Sequence, residues 1–88
     1  FLLNTNISIK QQLQEIDKLK KLITVDKEIV DIRISVKESA KAQLENGVIT
    51  SSDFIRELNA EDTAKQNLAI HKTQLLLAQY NYKITTGN

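Results

Sequence analysis

Cysteine, proline, tryptophan and methionine are all missing from this 88-residue chain, and glycine occurs only at Gly47 and Gly87. Each absence excludes something. Without cysteine there is neither a disulfide staple nor a thiolate metal site. Without proline, and with two glycines, the chain has almost no punctuation, so it reads as two uninterrupted segments split near the midpoint. Two Phe and two Tyr are the only aromatic residues, which leaves aliphatic side chains to build whatever core there is. A single domain of this size buries a modest share of its surface. Stability must then come from packing along long helices or from assembly with other copies. No charge of one sign dominates either: twelve basic residues face eleven acidic ones. The signs also alternate, as in Glu15–Asp17–Lys18–Lys20–Lys21 and Asp26–Lys27–Glu28. That is a solvated helix face with local ion pairs, not a phosphate-binding stripe, so nucleic acid is not an expected partner. The longest apolar run, Leu75–Leu76–Leu77–Ala78, falls far short of the ~20 residues of a membrane span. No signal peptide is visible. The chain opens on Phe1 and not on Met, which reads as an internal piece of a longer protein whose targeting segments lie elsewhere.

What is present is period. In the first segment Ile9, Leu13, Ile16, Leu19, Leu22, Val25, Ile29, Ile32, Val36, Ala40 and Leu44 recur at steps of three or four, the seam of a helix or coiled coil. A sparser row of Ile23, Val30 and Ile34 widens the apolar face. Asn6 or Ser8 is placed to cap the start. The β-branched stretch from Val25 to Val36 partly alternates, so a short strand there is the alternative; the longer-range period favours helix. The second segment repeats the pattern with Ile55, Leu58, Ala64, Leu68, His71, Leu75, Ala78 and Tyr82, beside a row of Ile70, Leu77 and Ile84 spaced by sevens. Ser51 or Ser52 precedes it as N-cap, with Asp53 and Glu57 favourably placed for the helix dipole. Gly87 follows the last periodic residue, where a helix end favours positive φ. Asn46–Gly47 marks the break. The dipeptide also suits a β-hairpin, but helical patterns flank it on both sides. Gly47 is therefore read as the residue just past the first helix, and a short connection makes the helices antiparallel neighbours. The expected fold is all-α, a long antiparallel two-helix coiled-coil hairpin. Its first helix covers about 7–46, its tip 47–51 and its second helix about 52–85.

Little here carries chemistry. His71 is the only histidine and lies on the apolar seam; with no cysteine and no arranged carboxylates it reads as a packing residue, not a metal ligand. Ser39, Ser51 and Ser52 have no base at a predictable distance. Glu61–Asp62 and the Asp53/Glu57 pair read as solvated helix surface. No glycine-rich phosphate loop is present. The expectation is a non-enzyme without cofactor or metal. Val48 and Ile49 are different, because apolar residues at a tip are hard for a hairpin to bury. Either one of them packs locally against Phe54 or Leu44, or they form a contact surface for another protein.

From Ser39 to Gly87 the sequence resembles the C-terminal part of outer membrane efflux proteins, the TolC-like family. The pattern that carries the resemblance appears as Ala40, Leu44, Gly47, Val48, Thr50, Asp53, Phe54 and Ile55, continues through Ala60, Ala64 and Leu68, and ends with Gln79–Tyr80–Asn81–Tyr82–Lys83 and Gly87. The first 38 residues share with the family only a long amphipathic helix. The resemblance implies the second periplasmic hairpin of a trimeric channel, a fragment of an α-helical barrel whose membrane strands lie outside this chain. It places the protein in the outer membrane, on its periplasmic side, in a Gram-negative bacterium. It implies a passive conduit: Gly47, Val48, Ile49 and Thr50 at the tip dock a periplasmic adaptor protein, and through it an inner-membrane pump, for efflux or secretion. Asp53 falls where relatives place an acidic residue at the pore entrance. One turn on, where some relatives carry a second acid, this chain has Arg56, so an Asp53–Arg56 ion pair stands in for a paired acidic ring. The competing reading is a free-standing coiled-coil oligomerisation module unrelated to transport.

Overall fold

The computed structural model describes the backbone of residues 2–87 and the side chains of residues 8–87. It is all-α: α1 spans Leu2–Glu45, α2 spans Ser51–Thr85, and the two form an antiparallel hairpin with no strand among the described residues. The β-branched stretch Val25–Val36 is helical throughout, so tertiary packing overrides its local strand preference. The first helix starts earlier than its period suggests. Asn6 and Ser8 lie inside α1, and neither caps it. The chain divides into two compact units, one joining Phe1–Thr24 with Ala69–Asn88 and the other consisting of Val25–Leu68.

In the first unit the buried α1 residues are Ile16, Leu19 and Ile23, in strict three-four order. The α2 row of this unit, His71, Leu75, Ala78 and Tyr82, is half-buried. Gln12 donates from Nε2 to Thr85 Oγ1 at 3.0 Å, a contact between residues 73 positions apart, while its Oε1 is buried without a partner. Past Thr85, Gly87 adopts φ +80°. Its N–H donates to the Ile84 carbonyl at 3.1 Å, the left-handed helix end that glycine makes without steric cost. The row of Ile70, Leu77 and Ile84 is exposed.

The second unit departs from the expected seam. Its buried α1 residues are Asp26, Val30 and Ala40, with Ile34, Lys37 and Leu44 half-buried. On α2 the matching row is Phe54, Glu57, Glu61, Ala64 and Leu68, of which Glu61 and Ala64 are buried. Val25, Ile29, Ile32 and Val36 were expected inside and are instead 49%, 41%, 59% and 37% exposed. Ile55 and Leu58 on α2 are exposed as well. Three of the inside residues directly follow outside ones (Asp26 after Val25, Val30 after Ile29, Lys37 after Val36), so the two rows are offset there by about 100° round the helix. The sparse row takes the seam, and the α2 row opposite carries Glu61, whose buried carboxylate is paired with Lys37 of α1 as well as with Lys65 of α2. Ala40 and Ala64 are small, which suits close approach of two helices.

Candidate functional site at the turn

The fold-back is closed from both sides. At the end of α1, Gly47 adopts φ +73°. The Val48 N–H donates to the Gln43 carbonyl at 2.8 Å, and the Gly47 N–H to the Leu44 carbonyl at 3.1 Å. This six-to-one and five-to-two pair is the Schellman arrangement, which satisfies carbonyls that the helix end would otherwise leave open. At the start of α2 the cap is Thr50, not Ser51 or Ser52, which lie within the helix. The Asp53 N–H donates to Thr50 Oγ1 at 3.2 Å, and the Thr50 N–H donates back to Asp53 Oδ2 at 3.2 Å. The pair is a capping box with aspartate at the third position. The Phe54 N–H donates to the Thr50 carbonyl at 3.1 Å, the first bond of the helix. Sequence reading placed the cap one or two residues late because three hydroxyl residues stand in a row. The discriminating signal was Asp53, three positions after Thr50.

The tip residues thus divide by role. Gly47 and Thr50 build the turn. Val48 is 69% exposed and is the side chain that the turn presents outward; Ile49 is half-buried and lines a shallow groove of about 450 Å³ with Val36, Ser39, Ala40, Asp53 and Arg56. Ile49 therefore turns back towards the helices, while Val48 does not.

Asp53 serves the cap and also approaches Arg56, Nη2 to Oδ1 at 4.0 Å, an exposed pairing one turn apart. The hydrogen bonds from Thr50, and then the Arg56 charge, hold the Asp53 carboxyl below its usual range. The sequence-based pairing of Asp53 with Arg56 is present within one chain, at the outer limit of an ion pair and worth little in water. Most of the carboxylate's local role is structural.

The charged cluster that matters for the second unit lies further along, and sequence reading missed it. Glu61 was read as solvated surface; it is 6% exposed. Lys37 Nζ lies 2.9 Å from its Oε1, and Lys65 Nζ lies 2.6 Å from its Oε2. The hydrogen bonds from Lys65 and then Lys37 lower the Glu61 pKa, and Glu61 in turn raises that of Lys37. Lys65, four residues on in the same helix, was legible; Lys37, on the other helix, was not. Asp62 stays exposed. His71 is half-buried on the α2 row.

No group of three metal-ligating side chains occurs among the described residues. No helix among them is long and apolar enough to cross a membrane. Compared with known proteins, the chain matches no family model, no curated protein and no solved structure.

Proposed function

We propose that this chain is a periplasmic helical hairpin of a TolC-like outer membrane channel: a passive, non-catalytic segment of a tripartite efflux or secretion system. In that role the copies of the full-length trimer pack side by side through the helix faces, and the tip docks the periplasmic adaptor. One observation carries the reading. The unit that contains the turn keeps Asp26, Lys37 and Glu61 in its seam and leaves Val25, Ile29, Ile32 and Val36 outside. A hairpin meant to stand alone gains by the reverse arrangement. One that stands in the wall of a barrel needs a second apolar face for its neighbour. The capped turn suits the docking role, since it holds Val48 outward on a backbone fixed by hydrogen bonds on both sides.

Val48→Asp in the full-length protein tests the tip. It leaves the Schellman bonds untouched, because those use the backbone of residue 48. Gly47→Asp is a poorer probe: it forces a side chain into φ +73° and disturbs the turn itself. The expected result is loss of efflux complementation with the trimer still assembled. Normal drug resistance in the Val48→Asp strain refutes tip docking. The same aliphatic face also favours the coiled-coil module, which has no need of the tip: a Val48→Asp chain with unchanged function in a non-transport setting supports that reading.

A further inference from the structure

We propose that Asn46–Gly47 is a self-modifying site, where the Gly47 backbone nitrogen displaces the Asn46 side-chain amide as ammonia, and that the capped turn restrains this reaction. Once its proton is lost to water or hydroxide, Gly47 N attacks Asn46 Cγ. The N–Cγ bond forms, the Cγ–Nδ2 bond breaks, and Nδ2 leaves as ammonia with protons taken from water. Nucleophile and carbonyl carbon belong to adjacent residues, so the attack is intramolecular and closes a five-membered imide. Water then opens the imide at either of its carbonyls. Addition at Cγ gives aspartate. Addition at the backbone carbon gives isoaspartate, whose main chain runs through Cβ and Cγ and is longer by one methylene. Either way one water is consumed, one ammonia is released and a carboxylate replaces the amide.

The turn singles out this asparagine. Asn46 and Gly47 are both exposed, and the space that a Cβ on residue 47 would occupy is empty to 4 Å. Neither a side chain on residue 47 nor a neighbouring group obstructs ring closure. Asn59, Asn67 and Asn81 lie inside α2, where the next N–H is bonded within the helix. They are followed by Ala60, Leu68 and Tyr82, each with a side chain beside the attacking nitrogen.

The same turn holds the reaction back. The Gly47 N–H donates to the Leu44 carbonyl at 3.1 Å and the Val48 N–H to the Gln43 carbonyl at 2.8 Å. The nitrogen thus keeps its proton, and the peptide plane between Asn46 and Gly47 is not free to swing N onto Cγ. Reaction runs through the opened turn, at a rate set by how often it opens. It also destroys its own restraint. The extra methylene of isoaspartate lies between the Gln43 and Leu44 carbonyls and the N–H groups that cap them, so the two bonds no longer close. The new carboxylate stands beside Glu45, at the negative end of the α1 dipole. The chemistry needs only the turn and is independent of any transport role.

Peptide mapping by mass spectrometry tests it on the 88-residue chain, incubated at mildly alkaline pH both folded and in urea. Deamidation is expected at Asn46 and not at Asn59, Asn67 or Asn81 over the same time, with isoaspartate the main product. It is expected to quicken as pH rises and to run about tenfold or more faster in urea than in the folded chain. Asn46→Gln, whose longer side chain closes only a slower six-membered ring, is expected to stay unmodified. No conversion at Asn46 in urea, or equal conversion at the three α2 asparagines of the folded chain, overturns the site. Equal rates at Asn46 in the folded chain and in urea overturn the restraint. Amide exchange on the isolated products separates backbone from charge. The Val48 N–H is expected to lose its protection in the isoaspartate form and to keep most of it in Asn46→Asp, whose main chain is ordinary. An isoaspartate chain that still protects the Val48 N–H shows that the reaction leaves the turn standing, which overturns its self-destructive part.

Discussion

The two units of this hairpin are built from one kind of sequence and packed on opposite principles. The unit that joins Phe1–Thr24 with Ala69–Asn88 buries its best aliphatic row, Ile16, Leu19 and Ile23. The unit Val25–Leu68, which holds the turn, buries a mixed row with Asp26 and Glu61 in it and leaves four aliphatic residues of α1 outside. The first arrangement keeps its buried α1 row wholly aliphatic, although Leu13, Ile70, Leu76, Leu77 and Ile84 of the same unit stay exposed. The second places charged residues in its buried row, and what it gains is a fixed phase: Lys37 and Lys65 converge on Glu61 from two helices, and sliding or rotating one helix parts Lys37 from the carboxylate. Burying a paired charge is weak support for stability, whereas breaking such a pair is costly. The turn unit is thus held in one register by polar contacts, while the other is held mainly by hydrophobic burial.

The sharpest way to break this comparison is to remove side chains from the hydrophobic unit. Leu19 is the least exposed residue of its row, at 3%. Leu19→Ala is expected to lower unfolding free energy by roughly 2–4 kcal/mol, the usual cost of a large-to-small change in a core. In a chain of this size that is a large fraction of the total. The urea midpoint of the dilute chain measures it. A loss well under 1 kcal/mol shows that the row collapses around the deletion and that the unit is not held by its aliphatic packing.

A smaller effect is expected from Glu61→Gln, and its pH dependence identifies its cause. The folded-state pKa of Glu61 is lowered by Lys65 and then Lys37, and that of Asp53 by its hydrogen bonds with Thr50 and then by Arg56. A lowered carboxylate pKa contributes stability above its unfolded value, and the contribution disappears as pH falls through the folded one. Lys37 is shifted upward, chiefly by Glu61, so its contribution is fully present below its ordinary value and is lost only as pH rises through the raised one. Between the carboxylate and lysine ranges both are at work. Glu61→Gln is therefore expected to destabilise at pH 7, and the deficit to shrink as pH falls below the ordinary carboxylate value and through the lowered one. A deficit that does not shrink at any acid pH at which the chain stays folded assigns the effect to packing and removes the electrostatic half of the comparison.

The contrast also explains what the sequence made legible. Helix, antiparallel hairpin and the Gly47 break follow from period and punctuation, which are local and strong. In α2 the seam from Ala64 to Tyr82 reads correctly, because one row there is plainly more apolar than its neighbours. In α1 the seam reads correctly at Ile16, Leu19, Ala40 and Leu44 and fails at Leu13, which is 46% exposed, and from Val25 to Val36. In that stretch two rows offset by one residue are both rich in Ile and Val, so hydrophobicity alone picks the wrong one. Glu61, which pairs with Lys37 of the inside row, lies on the other helix. A buried Lys37–Glu61 contact depends on how two segments meet, and nothing local to either residue announces it. The cap at Thr50 was legible in principle through Asp53, but was obscured by the run Thr50–Ser51–Ser52.

Thr50→Ala is expected to cost about 1 kcal/mol, since it removes the hydroxyl that accepts the Asp53 N–H. The amide protons at the start of α2 are expected to exchange faster, while those of the Phe1–Thr24 and Ala69–Asn88 segments stay as they were. Equal acceleration in both units shows that they open together and do not act as separable parts.

The smallest expected effect decides the most about the exposed row. Ile32→Ser removes an aliphatic side chain that the fold leaves 59% exposed, and serine and isoleucine have similar helix propensity. In a chain dilute enough to be monomeric, the change is expected to move unfolding free energy by no more than about 0.5 kcal/mol, as surface substitutions do. The same substitution in the concentrated chain removes an apolar contact from every copy at once, so the loss grows with protein concentration. Stability curves at two concentrations separate the cases. A cost above roughly 1.5 kcal/mol in the dilute chain shows that Ile32 is covered by its own hairpin. The aliphatic row is then core, and the two units are packed by the same rule after all.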